Sequence, residues 1–396
     1  MMHTQSSLLD VQAAAKARVF PPFSLRRLLE TVFSPGKGES VAILIDLPEP
    51  ERVKDFNFLS DTALSIQRHA YDVFHEGLLR GEVPSLTYNK NSFFAYKITG
   101  GSNLDLPSTA FNIHGEPINL ENDVYPHFDI ILCISTYSAT APLTAFAHKY
   151  GFRGATLHGL NPIILATGLS VDYREVSRDA EKLRLGLTRA QRVEMDFSTH
   201  DRDMTLTLIL NGQEAQKSHG LCEPGVPDVA NLPAGEVYFV PESAHGQFPL
   251  VYEDGTHGLM QVERGRIVRA ELLSGNAATI AAHNKKLASD PVTGELGELG
   301  FGTQILPFSG RDIQDEKVLG TLHVATGRSD HLGGSLTPDK FAEHSNATHD
   351  DILFAPHKTP QVRVTQARAY WADGTSRVIL ENYRPSEWFY GLISAS

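Results

Sequence analysis

The chain has 396 residues, 41% hydrophobic and 21% charged, with a formal net charge of -12; this composition suits a folded globular protein, and the length makes two domains the starting expectation. The acidic balance disfavours a duplex nucleic-acid partner, since phosphate binding needs clustered Lys and Arg, and no basic run exceeds the pairs Arg26–Arg27 and Lys285–Lys286. Two cysteines, Cys133 and Cys222, make no disulfide framework and fit a cytoplasmic location; no secretion signal and no apolar run of membrane-spanning length is read, so no membrane partner is expected.

In chain order, the first twenty residues read as an arm or short helix. Ser24 then precedes an apolar stripe, Leu25, Leu28, Leu29, Val32 and Phe33, at helical spacing, ended by Pro35-Gly36. Val41 to Ile45 is a continuous apolar run that suits a strand covered on both faces. Asp61 is placed to cap a helix from Thr62 to about Leu79. Phe128 to Ile134 repeats the buried-strand pattern, followed by helices through Leu143, Phe146 and Ala147 and through Val176, Ala180, Leu183 and Leu187. Strands alternating with helices predict a mostly parallel sheet, and residues 1–190 are assigned to an N-terminal α/β domain.

Beyond Gln191 the texture changes. Met204 to Leu210 alternates Thr with apolar residues as an antiparallel strand does. Hairpins are expected around Arg264-Gly265 and Asp373-Gly374, with a helix between them near Ala277 to Leu287. Residues 191–396 are therefore read as a mixed α+β domain rich in antiparallel sheet.

The chemistry-bearing residues fall in this second half. His349 and Asp351 are two apart, so on a strand they project from one face and can meet a divalent cation together. His323 stands among apolar and small residues in a further strand; a lone histidine there is an ordinary core residue. Glu298 lies between glycines and apolar residues, where a carboxylate needs a cation, a metal or hydrogen bonds. Glu236 opens an apolar strand. Three carboxylates and two histidines are the donor set of a site for two cations about 3.5–4 Å apart, in which a shared water is acidified toward neutral pH. Sequence alone leaves open whether Glu236 or Glu298 bridges or shuttles the proton. His331 and His344 are close enough in the chain to reach such a site.

The order Gly235-Glu236-Val237, then Gly297-Glu298-Leu299-Gly300-Phe301-Gly302-Thr303, then Asp315-Glu316-Lys317 with Gly320-Thr321-Leu322-His323-Val324-Ala325, then His349-Asp350-Asp351 resembles the thermophilic aminopeptidase family of the aminopeptidase T type. The resemblance spans roughly Leu160 to Phe354 and includes the helix start at Asp172-Tyr173. It implies a metal-binding catalytic domain after the α/β domain, a homodimer, and metal positions at Glu236, Glu298, His323, His349 and Asp351. The implied reaction is removal of the N-terminal residue of a small peptide by water activated between two ions of zinc, cobalt or manganese, with Glu236 and Glu298 catalytic. Where the family carries a tyrosine after the histidine of Gly-Thr-x-His, this chain has Asp330, a third catalytic candidate. An ionised aspartate accepts hydrogen bonds or ligates a cation but cannot donate to an oxyanion. Asp315-Glu316-Lys317 suits residues that orient a metal ligand from behind, or a solvated turn.

A second reading comes from a branch resembling the same family, the dihydroxypyridine dioxygenases. His323, His349 and Asp351 are two histidines and one carboxylate, the triad that holds a single Fe(II) with open positions for an aromatic substrate and oxygen. Retention of both Glu236 and Glu298 speaks against it. A degenerate relative that binds no metal is the third possibility.

Overall fold

The computed structural model describes residues 8–394, and the first seven residues of the expected N-terminal arm lie outside it. The chain forms two compact units. One comprises residues 19–177 and 218–234; the other holds residues up to 18, then 178–217 and 235–396. The chain thus leaves the first unit inside the helix Tyr173–Leu187 and returns to it for one short excursion, where the sequence reading has a single crossing near residue 190.

The first unit is built on a mostly parallel sheet. Its central strand, Glu39–Leu47, pairs in parallel with Phe93–Lys97 on one side and Ile130–Ile134 on the other. Ile130–Ile134 pairs in parallel with Arg153–Thr156, which pairs with Val229–Asn231. Val229–Asn231 comes from the returning segment, whereas the sequence reading places it in residues 191–396. Two antiparallel strands, Thr109–Asn112 and Pro117–Asn119, finish the opposite edge. Both faces are covered, which is why Val41 to Ile45 and Ile130 to Ile134 are fully buried and apolar throughout.

Local signals explain most boundaries. The Ser24 hydroxyl accepts from the Arg27 amide at 3.2 Å and starts the helix Leu25–Phe33. Asp61 instead closes a turn, accepting from the Ala63 amide at 3.0 Å, and the following helix begins at Ser65. That helix widens over Ala70–His75 before it ends at Leu79.

The second unit contains two antiparallel layers. The larger sheet runs in the order 266–274, 257–263, 243–251, 203–209, 190–198, 363–371, 376–381 and 384–385. Arg264 and Gly265 both adopt left-handed backbone, φ 50° and 87°, as a two-residue hairpin turn requires. The smaller sheet carries Glu236–Phe239, Leu296–Gly302, Leu322–Gly327 and His349–Phe354 as antiparallel neighbours in that order. It carries all five of the candidate metal ligands. Among the described residues no helix is long and apolar enough to cross a membrane.

Gly302 fixes how a second segment reaches this smaller sheet. Thr303 and Gln304 donate their amides to the Lys317 carbonyl at 3.0 and 2.8 Å, so residues 316–318 run alongside the end of Leu296–Gly302. A Cβ on Gly302 would overlap the Val318 carbonyl oxygen and crowd that of Glu316. Gly302→Ala is expected to destabilise the protein by roughly 1–3 kcal/mol through overpacking against fixed backbone. A urea-unfolding midpoint that does not move would show that the segment can yield without cost.

Candidate metal centre

Period-two alternation and register place the candidate residues on one face of the smaller sheet. Glu298 and Asp351 both lie opposite Ala325, from the two strands that flank it. His323, two residues before Ala325, lies opposite Gly300, and Glu236 lies opposite Gly302. His349 is two residues before Asp351 and shares its face. A bulge between Leu296 and Glu298 sets the phase that turns the Glu298 carboxylate toward this group. Small residues, Gly300 and Ala325, occupy the middle. A Cβ on Gly300 would overlap the His323 ring, so the imidazole lies across the neighbouring strand where the glycine leaves room.

The result is two overlapping triads. Ligand atoms of Glu236, Glu298 and His323 lie within 4.8 Å of one another, and so do those of Glu298, His349 and Asp351. Glu298 belongs to both, one oxygen for each: Oε1 is 3.4 Å from His323 Nε2 and Oε2 is 3.0 Å from His349 Nε2. Asp351 Oδ1 stands 3.3 Å from His349 Nε2, and Glu236 Oε2 stands 3.6 Å from His323 Nε2. His323, His349 and Asp351 do not form such a group by themselves among the described residues.

Four of the five side chains are at most 8% exposed, and Asp351, at 29%, is the member open to solvent. Burial alone would drive these groups to their neutral forms. For the Glu298 carboxyl, burial is outweighed by His323 and His349, which hold it well below the usual carboxylate range. For His323, burial is outweighed by Glu298 first, and the imidazole is pushed up to about 10; His349 rises likewise through Asp351 and Glu298. Without cations the histidines are themselves the positive charges of the cluster. Cations in the triads would replace those protons.

Donor atoms fit that replacement. The Arg328 carbonyl oxygen can only accept, so the His349 Nδ1, 2.7 Å away, carries a proton, and Nε2 is the nitrogen left to face a cation. Glu236 Oε2 is buried and has no hydrogen-bond partner, a costly state for a carboxylate oxygen. Its Oε1 accepts from Lys317 Nζ at 2.7 Å, and the same ammonium donates to Glu316 Oε1 at 2.6 Å. Lys317 is 1% exposed. Burial pushes the Glu316 carboxyl up to about 8 although Lys317 opposes the rise.

Asp330 stands outside both triads. Its carboxylate is gripped by Arg328, Nε to Oδ1 at 2.7 Å and NH2 to Oδ2 at 3.1 Å. An oxygen pair so engaged is positioned to hold Arg328, whose carbonyl in turn orients His349. His331 packs its ring edge-on to that of His349, centroids 5.0 Å apart, and its side chain is 5% exposed. His344 is exposed on a short turn and joins neither triad. Asp315 faces elsewhere: it accepts from the Ser309 and Gly310 amides at 2.6 and 3.0 Å and from His357 Nε2 at 2.8 Å, fixing the turn that precedes Glu316. The depth of Lys317 was the feature least visible in sequence. Its signal was a lysine between a carboxylate and an apolar run, a pattern shared by many solvated turns.

No protein-family model matches the chain, and no curated protein matches it by sequence. Solved structures do. The chain is similar to 2,5-dihydroxypyridine dioxygenase from Pseudomonas putida, with a TM-score of 0.54 and 14% identity over 88% of this chain and 92% of that one. It is also similar to wild-type AmpT, an aminopeptidase, from Thermus thermophilus, with a TM-score of 0.52 and 13% identity over 91% of this chain and 97% of that one. At such identities the likeness is one of fold. Both neighbours are enzymes, and the acidic and imidazole groups gathered here have the composition of a metal site.

The charge arrangement fixes how stability responds to pH when cations are removed. His323, raised from 6.5 to about 10 in the fold, contributes stability that is full below 6.5 and is lost as pH rises toward 10; Glu316, raised from 4.5 to about 8, acts in the same direction. Chelator-treated protein should therefore show a thermal midpoint that falls steadily from pH 6.5 to pH 10. A flat profile across that window would contradict the imidazolium–carboxylate pairing.

Proposed function

We propose that this chain is a metal-dependent hydrolase of the aminopeptidase kind, removing N-terminal residues from small peptides with two divalent cations per chain. The observation that carries the reading is the place of Glu298 in both triads, one carboxylate oxygen toward each imidazole. A carboxylate placed so would serve two cations, one through each oxygen. By this reading Glu298, His349 and Asp351 hold one ion, and Glu236, Glu298 and His323 hold the other. Two such ions polarise a carbonyl and acidify a water, which is the chemistry they supply to amide hydrolysis.

The chain's own residues organise the rest. Arg328 holds His349 by its backbone carbonyl, and Asp330 holds Arg328 by its carboxylate. Lys317 keeps Glu236 in place by one oxygen and leaves the other for a ligand. Asp351 is the most exposed of the five, so a peptide would approach from its side, with its α-amino group near a carboxylate. Asp330 is assigned to positioning. Support for a peptide substrate comes from the motif order and from the fold shared with AmpT.

The dioxygenase reading needs His323, His349 and Asp351 around a single iron. The two triads divide those three residues between them, His323 on one side of Glu298 and the other two on the other. Elemental analysis of chain prepared without chelator, followed by assays on aminoacyl amides and on hydroxylated pyridines, separates the readings. Two zinc, cobalt or manganese ions per chain with amide hydrolysis is the expected result, and Glu298→Ala should lose both ions and turnover together. One iron per chain, with oxygen uptake on a pyridine, would overturn it.

A further inference from the structure

Resting on the two-ion reading, we propose that the two cation positions are unequal, and that Lys317 makes them so. The position formed by Glu298, His349 and Asp351 fills first and tightly. The position formed by Glu236, Glu298 and His323 fills second and releases its ion more readily.

The argument is one of charge and of donor atoms. Glu298 and Asp351 carry two negative charges, which match one divalent ion. The second ion finds a single further carboxylate among its ligands, Glu236. That carboxylate is already paired, since Lys317 Nζ lies 2.7 Å from its Oε1. Only Oε2 remains, buried and without a hydrogen-bond partner. Glu236 can therefore give the ion one oxygen, and the ammonium behind it opposes the incoming charge. Lys317 cannot swing away into water: it is 1% exposed, its carbonyl is tied to the Thr303 and Gln304 amides, and its Nζ is also held by Glu316 Oε1 at 2.6 Å. Like charges in a site with little water repel strongly, so a fixed ammonium one carboxylate away weakens cation binding on the order of tenfold or more. The carboxylates of the other triad, Glu298 and Asp351, lie against the His349 imidazole instead. His349 is backed by a carbonyl oxygen and His331, and Asp351 is partly open to water.

The ammonium also has a use. In the absence of the second ion it gives Glu236 and Glu316 a shared hydrogen-bond donor, so neither buried side chain is left without a partner and the half-loaded protein keeps its site assembled. Lys317 is thus a positioning residue that sets how easily the second ion comes and goes.

The test is a titration of the full chain, stripped with chelator, with cobalt(II) alone, followed by calorimetry and by the visible cobalt absorption. Two steps are expected, their affinities separated by about tenfold or more. Asp351→Ala should weaken the tighter step and Glu236→Gln should remove the weaker one. Lys317→Met alone leaves Glu316 buried without its partner and can fail to fold, so the paired variant Glu316→Gln with Lys317→Met is used beside it. The paired variant should bring the two steps together by strengthening the weaker. Two equal steps in the unaltered chain would overturn the proposal, as would a gap that the paired variant leaves unchanged, or an Asp351→Ala chain that loses the weaker step. Failure of either protein to take more than one ion would instead overturn the two-ion reading on which the proposal stands.

Discussion

A carboxylate or an imidazolium buried in protein is costly unless an opposite charge lies against it, and on the smaller sheet of the second unit several are buried together. Glu236, Glu298, His323 and His349 are each at most 8% exposed, on one face, with Lys317 and Glu316 beneath them. Charge matching is the constraint that everything else at this site serves. Without cations it is met by imidazolium–carboxylate pairs and by one ammonium held between Glu236 and Glu316. On the proposed reading, cations take the place of the two imidazole protons in the same geometry.

The backbone is arranged to permit this. Gly300 leaves room for the His323 ring to lie over the adjacent strand, and Gly302 lets the Lys317 segment run against the sheet. Ala325 lies between Glu298 and Asp351 as a small floor. One bulge next to Glu298 selects the face its carboxylate occupies. Each feature trades bulk or regular pairing, which would stabilise a plain sheet, for a cavity lined with charge.

The outer groups are ordered by backbone rather than by ligand chemistry. Arg328 reaches His349 through its carbonyl and is itself locked by Asp330. An aspartate in that place is a clamp on the orienting residue. Both of its oxygens accept from the Arg328 guanidinium, and it belongs to neither triad.

Much of this was legible in the chain itself. Continuous apolar runs at Val41 to Ile45 and Ile130 to Ile134 marked strands covered on both faces, and a capped stripe marked the helix Leu25–Phe33. Carboxylates and histidines set among glycines and apolar residues marked the segments that carry the centre, because such surroundings leave a charge no water and so demand a partner. Those are local properties, and local physics is what a sequence displays. Tertiary structure alone decided the rest. The return of Val229–Asn231 to the edge of the first sheet depends on pairing between segments distant in the chain. The division of five side chains into two triads joined at Glu298 depends on the register of four adjacent strands, which no single segment encodes. The burial of Lys317 between Glu236 and Glu316 depends on a turn packing against a strand end that a glycine keeps bare.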